Sequence, residues 1–162
     1  MKRLTIAVLL VLPMLVVAAP SALAAKPTRQ RDAVDDAFVD TSCGFPVQVH
    51  ATGLVDTIQW VDGDGNTRTI VTFPQAKITF TNPDTGTTIK ANIAGPVQLD
   101  ERTDGSFTVV VIGTTWGQND PDTGEPGLFL GAGRFFFSVD AAGNESFRRV
   151  GRVTHLCPQL AA

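Results

Sequence analysis

Few stretches of this chain have residues whose type and spacing could do chemistry. The first is Val61–Arg68, VDGDGNTR, where Asp62, Asp64 and Asn66 alternate with glycine. Alternating oxygen ligands open a calcium loop, which also needs glycine at position 6 and glutamate at position 12. Counted from Asp62, those positions hold Thr67 and Phe73, and the flanks have strand character rather than helix character. The stretch therefore reads as a tight hairpin connection. Asp62 and Asp64 are kept only as weak metal candidates, and no metal or cofactor is expected.

Catalytic sets are equally thin. The histidines, His50 and His155, sit in neither a G-x-S-x-G nor an H-E-x-x-H context, so neither a nucleophile elbow nor a zinc-protease helix is indicated. Two histidines and a bonded cysteine pair do not make a zinc set. Asp100 and Glu101 are strand neighbours and point to opposite faces, so they form no dyad. No catalytic residue is assigned. Two PDTG segments, at 83–86 and 121–124, read as proline-led turns. The second lies in the longest polar loop, with Asp120, Asp122 and Glu125. RRVGR at 148–152 is a small basic cluster that could pair with the acidic loops or hold an anion. Arg148 and Arg152 point one way and Arg149 the other. Asn144 opens an N-E-S acceptor sequence.

The aromatic residues are more informative. Phe129, Phe135 and Phe137 share one face of a strand pattern at 128–140, and Phe107, Val109 and Val111 share one face of its expected neighbour. This wall is either packed core or the lining of an apolar cavity. As ligand-lining candidates we take Phe107, Phe129, Phe135 and Phe137, with Trp60 or Trp116 near a mouth.

The elements that must position these residues read as beta. Short runs rich in valine, isoleucine, threonine and phenylalanine alternate with the turn clusters DGDGN, NPDTG, TDGS and AAGN. Eight or nine strands with short links imply antiparallel pairing, in a barrel or a sandwich. FTVVVIG and LFLGAGRFFF are apolar on both faces, and Gly127, Gly131 and Gly133 suit bends or bulges. Both features favour a single antiparallel β-barrel of about eight strands, with a β-sandwich as the alternative.

Domain boundaries follow from composition. Lys2 and Arg3, an apolar run at 4–19 and small residues Ala22 and Ala24 form a secretory signal peptide over 1–24. Its removal leaves 138 residues with 11 basic and 16 acidic side chains. Such an acidic surface makes nucleic acid a poor partner, and no membrane span is expected in the mature chain. Residues 25–42 read as a flexible leader, 43–157 as the barrel domain and 158–162 as a tail. Cys43 and Cys157 are a lone pair in an exported chain and are expected to form a disulfide.

Two segments, ITFTNPDTGTTIKANIAGPVQLDERTDGSFTVVVIGT and GLFLGAGRFFFSVDAAGN, resemble those of a group of small, uncharacterised secreted bacterial proteins across roughly 43–157. The layout is also similar to the allene oxide cyclase and dirigent type of barrel. That likeness implies an eight-stranded, often trimeric barrel with a largely apolar cavity, and it transfers no catalytic residue. The sequence thus points to a secreted module binding a small apolar molecule in its lumen, with self-association as a further expectation. A cyclase- or isomerase-like enzyme and a structural or adhesive envelope protein are the alternatives.

Overall fold

The structure, a computed structural model, describes residues 26–162; the signal-peptide expectation lies outside the described residues. Nine strands form one antiparallel sheet: β1 (Thr28–Asp40), β2 (Val47–Val61), β3 (Thr67–Thr72), β4 (Lys77–Thr81), β5 (Thr88–Asn92), β6 (Val97–Glu101), β7 (Phe107–Asn119), β8 (Pro126–Val139) and β9 (Glu145–His155). A single turn of helix, α1 (Cys157–Leu160), ends the fold. Residues 28–40, expected as a leader outside the domain, are instead hydrogen-bonded along β2 from Thr28↔Gln59 to Asp40↔Val47. Their alternation is obscured by charge, because this strand is solvated on both faces over most of its length.

The order is a meander. On its other edge β2 pairs with β3 over Asp56–Val61 and with β4 over Gln48–Thr52. β3 and β4 therefore lie end to end, and so do their neighbours β6 and β5. β7, β8 and β9 follow as long hairpins. The connections use two repeated turns. In D-x-x-G-N, at 62–66 and 140–144, the first aspartate accepts two backbone N–H groups and the asparagine side-chain amide. In N/D-P-D-T-G, at 82–86 and 120–124, the first residue accepts from the amide two residues on.

A line of tight backbone approaches crosses the sheet. Gly113, Gly133 and Gly151 lie opposite one another on β7, β8 and β9, all with positive φ (102°, 143° and 148°). A Cβ on Gly133 would stand 2.3 Å from the Val150 carbonyl oxygen, and one on Gly151 would stand 2.3 Å from that of Ala132. The line continues through Gly95, whose Cβ would meet the Ile112 carbonyl oxygen at 1.7 Å, to Gly53, packed on the Ala76 backbone at 2.6 Å. Side chains are excluded along this line, so the strands bend sharply there.

Beyond this crease, on the side of the chain's two cysteines, the sheet doubles over. The halves of β1, β2, β4 and β5 there form one layer. The far ends of β7 and β8, with α1, form the other. Between them lie Val47, Val49, Ile78, Phe80, Leu128 and Leu160, all essentially inaccessible to solvent. Trp116 packs edge-on to Phe80 with ring centroids 6.0 Å apart, and it meets Phe38 at 6.1 Å. Cys43 and Cys157 form the expected disulfide, with Cα atoms 5.2 Å apart, and clasp this end. Asn82, only 3% exposed, donates to the Leu160 carbonyl oxygen at 3.0 Å and anchors α1.

The sheet is not closed. β1 pairs only with β2, and β9 only with β8. The end of β1 instead lies over β7, where Phe38 meets Trp116 and the Gln118 side-chain amide donates to Asp40 at 2.7 Å. The expected barrel is therefore present only as a folded-over open sheet.

Candidate functional site: an apolar cavity at the crease

Where the two layers diverge they leave a partly enclosed cavity of about 190 Å³. Its apolar lining comes from Val34 on β1, Ala51 and Val55 on β2, Ile78 on β4, Val97 on β6 and Trp116 on β7. Phe73 and Ile93 complete the wall from the two short links that interrupt the β3–β4 and β5–β6 columns. The polar residues around it are Thr52, Lys77 and Thr115. Among the described residues, no carboxylate and no histidine lines it. Gly53 sits in the floor, where any side chain would collide with Ala76. The cavity exists because backbone, not side chains, crosses here.

Outside the same links lies a wider groove of about 760 Å³, bounded by Thr72, Pro74, Gln75, Asn92, Gly95 and Pro96. It is broadly open to solvent, so an apolar molecule resting in it would keep much of its surface wet. Phe73, Ala76, Lys77 and Ile93 border both spaces and form the partition between them.

Of the six aromatic candidates, the cavity contains Trp116. Phe107 and Phe137 stack on each other at 5.8 Å on the far side of the crease. Phe129 covers Gly117 and Phe135 covers Gly131, each with its nearest ring atom about 2.4 Å from where a Cβ would be, and both rings are buried. Trp60 borders a polar groove with Asp62, Arg68 and Asp100. The residue pairing explains the separation. Phe107, Phe129, Phe135 and Phe137 do share one face, as alternation requires. The inter-layer core, however, takes the opposite face of β7 and β8, with Trp116 and Leu130. Sequence reasoning identified the two faces but not which of them turns inward. It also missed Val34, Ala51, Val55, Phe73, Ile78, Ile93 and Val97. The legible clue was Gly53 in the middle of a strand pattern and Gly95-Pro96 between two others.

The other candidate chemistry resolves into structure. Both oxygens of Asp62 are taken up within its own turn, and the Asn66 side chain and neighbouring amides hold its carboxyl below the usual carboxylate range. Asp140 builds the same turn with Ala142 where Asp64 stands in the first, so the second carboxylate is not needed for this shape. Among the described residues no three acidic, histidine or cysteine side chains come together as a metal site. His50 meets Asp35 at 2.7 Å and His155 meets Asp120 at 3.4 Å, each on the surface and apart from the other. Arg149 forms a two-pronged pair with Asp122 in the acidic loop, both contacts 2.6 Å, and this depresses the Asp122 carboxyl. Arg148 stacks over Phe136 at 4.5 Å.

No family model matches the chain, and no curated protein or solved structure matches it. Among the described residues, no helix is long and apolar enough to cross a membrane.

Proposed function

We propose that this is an exported, disulfide-clasped β-sheet protein that holds a small apolar molecule in the cavity at the crease. The observation that carries the reading is the apolar wall of Val34, Ala51, Val55, Ile78, Val97 and Trp116 around a partly enclosed space. An engineered cavity of roughly 150 Å³ lined by Leu, Ile and Phe stays dry and binds benzene. A space of about 190 Å³ suits a ligand of that class or slightly larger. The binding reading ranks above a cyclase or isomerase because the lining offers no carboxylate or histidine to move a proton. Export is supported by the basic start, apolar run and small-residue exit over 1–24, together with a disulfide that persists in oxidising compartments. A fully closed barrel is not required, since the doubled-over layers shelter most of the space.

The test is a fluorescence titration of the Trp60→Phe variant, which leaves Trp116 as the sole reporter, with benzene, toluene and indole. Saturable quenching or a spectral shift is expected. Ala51→Phe, which fills the space, should abolish it while the chain stays folded. Absence of saturation, or binding that survives Ala51→Phe, would overturn the proposal.

A further inference from the structure

One face of β7, β8 and β9 gathers arginines that no carboxylate answers. Cross-strand pairing sets its side chains in rows, Val110–Phe136–Arg148 and Ile112–Arg134–Val150, and Arg152 follows Val150 on the same side of β9. Arg134 is therefore the diagonal neighbour of both Arg148 and Arg152, about 7–8 Å away on ordinary sheet spacing. The guanidinium carbons of Arg148 and Arg134 stand 4.5 and 5.9 Å from the centroid of the same Phe136 ring. Stacking on one ring offsets part of the repulsion between the two cations but neutralises neither. Among the described residues, Arg31, Arg68 and Arg149 each pair with an aspartate, whereas no carboxylate pairs with Arg134, Arg148 or Arg152. The one acidic residue within these three strands, Glu145, lies opposite Val139 on the other face. The next strand, β6, brings Asp100 to the arginine face, already held by Arg68 and Gln98. In a chain with 16 acidic and 13 basic side chains, this face is a local reversal of charge.

Apolar side chains stand among the cations. Val150, 65% exposed, separates Arg148 from Arg152 along β9, and Ile112, 37% exposed, flanks Arg134 on β7. Exposed apolar surface rimmed by polar groups marks an interaction site. The mixture narrows the partner. A soluble polyanion would answer the arginines and leave Val150 and Ile112 wet. A neutral apolar partner would cover those two and strand three cations. An anionic lipid surface does both, with phosphates for the guanidiniums and the edge of the acyl region for the aliphatic tips.

We propose that this face of β7, β8 and β9 docks on a membrane surface of anionic phospholipid. The docking is peripheral, and it does not depend on what the cavity holds.

The experiment is cosedimentation of the oxidised, exported chain with vesicles of phosphatidylglycerol and phosphatidylcholine in equal parts, and with vesicles of phosphatidylcholine alone. Binding is expected to the first and not to the second, and it should weaken as salt rises. Arg134→Gln, Arg148→Gln and Arg152→Gln together should lower the affinity by about tenfold or more. Arg134→Lys, Arg148→Lys and Arg152→Lys together keep the charge and should retain most of it. Lys26→Gln, Arg29→Gln and Lys90→Gln together remove as much charge elsewhere and should affect it far less. Val150→Ser should weaken it severalfold. No binding to the anionic vesicles, or equal binding to both kinds, would overturn the proposal. So would a loss from the glutamine set that the lysine set or the control set matches. Dependence on the arginines with indifference to Val150→Ser would overturn it as well, and would mark a soluble polyanion as the partner.

Discussion

At the scale of single residues, the aspartates of the turns are the most consequential polar groups. Asp62 and Asp140 each accept three hydrogen bonds inside their own turn, and Asn66 and Asn144 lead the effects that lower their carboxyl pKa values. Asp56 is lowered chiefly by Arg31, and Asp122 chiefly by Arg149. A carboxyl whose folded pKa lies below its unfolded value stabilises the fold above the unfolded value, and that contribution disappears as pH falls through the folded one. Stability should therefore be level near neutrality and decline below about pH 4, the ordinary carboxylate range. Thermal melts from pH 7 to pH 2 check this. Asp140→Asn, which removes the charge and sets an amide donor where Oδ2 accepts from the Asn144 side chain, should melt a few degrees lower at pH 7 and show a shallower acid decline. The D-x-x-G-N turns were legible in the sequence because they are local: aspartate, glycine and asparagine at fixed offsets leave the backbone little choice. Calcium binding was tempting at 62–66 only because Asp64 happens to be acidic. Ala142 at the matching place of the second turn removes that attraction.

At the scale of elements, the glycines divide into two classes that sequence alone does not separate. Gly86 has φ 76° and nothing within 4 Å of an added Cβ, whereas Gly133 has φ 143° and would drive a Cβ against the Val150 carbonyl. Gly86→Ala should cost only about 1–2 kcal/mol, the backbone preference alone. Gly133→Ala should cost more than about 3 kcal/mol, with the sheet forced apart at the crease. Denaturant titrations of the two variants make the comparison direct. Phe80→Ala, which empties the centre of the inter-layer core, should cost about 3–5 kcal/mol. The positions of β3 to β9 and of the turns between them were readable from alternation and punctuation; the strand count was not, because β1 read as a leader. The inward face of β7 and β8 was not, because both faces of FTVVVIG and LFLGAGRFFF are apolar and the choice is made by contacts distant in sequence. β1 was unreadable for the opposite reason: its side chains stay wet on both faces, so it is a strand by hydrogen bonding rather than by hydrophobic pattern.

At the scale of the whole molecule, the disulfide joins positions 114 residues apart and sits beside the region where two layers meet. In the chain-entropy model, closing a loop of that length contributes on the order of 4–5 kcal/mol. Reduction should therefore lower the melting temperature steeply, and Cys43→Ser with Cys157→Ser should reproduce the effect; calorimetry with and without a reductant measures both. The pairing was legible from a lone cysteine pair in a chain that opens with the pattern of an export signal. The open sheet was not, because closure depends on where β1 comes to rest, and that is decided by Phe38 finding Trp116 rather than by any pattern within β1 itself.

The crease has a kinetic corollary. Sulfur and nearly all the dry packing lie on one side of it, while the remote hairpin ends have hydrogen-bond ladders and little beneath them. Fraying that begins at those tips would travel inward and halt at the glycine row. Amide protons should therefore exchange with deuterium in two populations, fast on the tip side and slow on the clasped side, with the boundary at Gly113, Gly133 and Gly151.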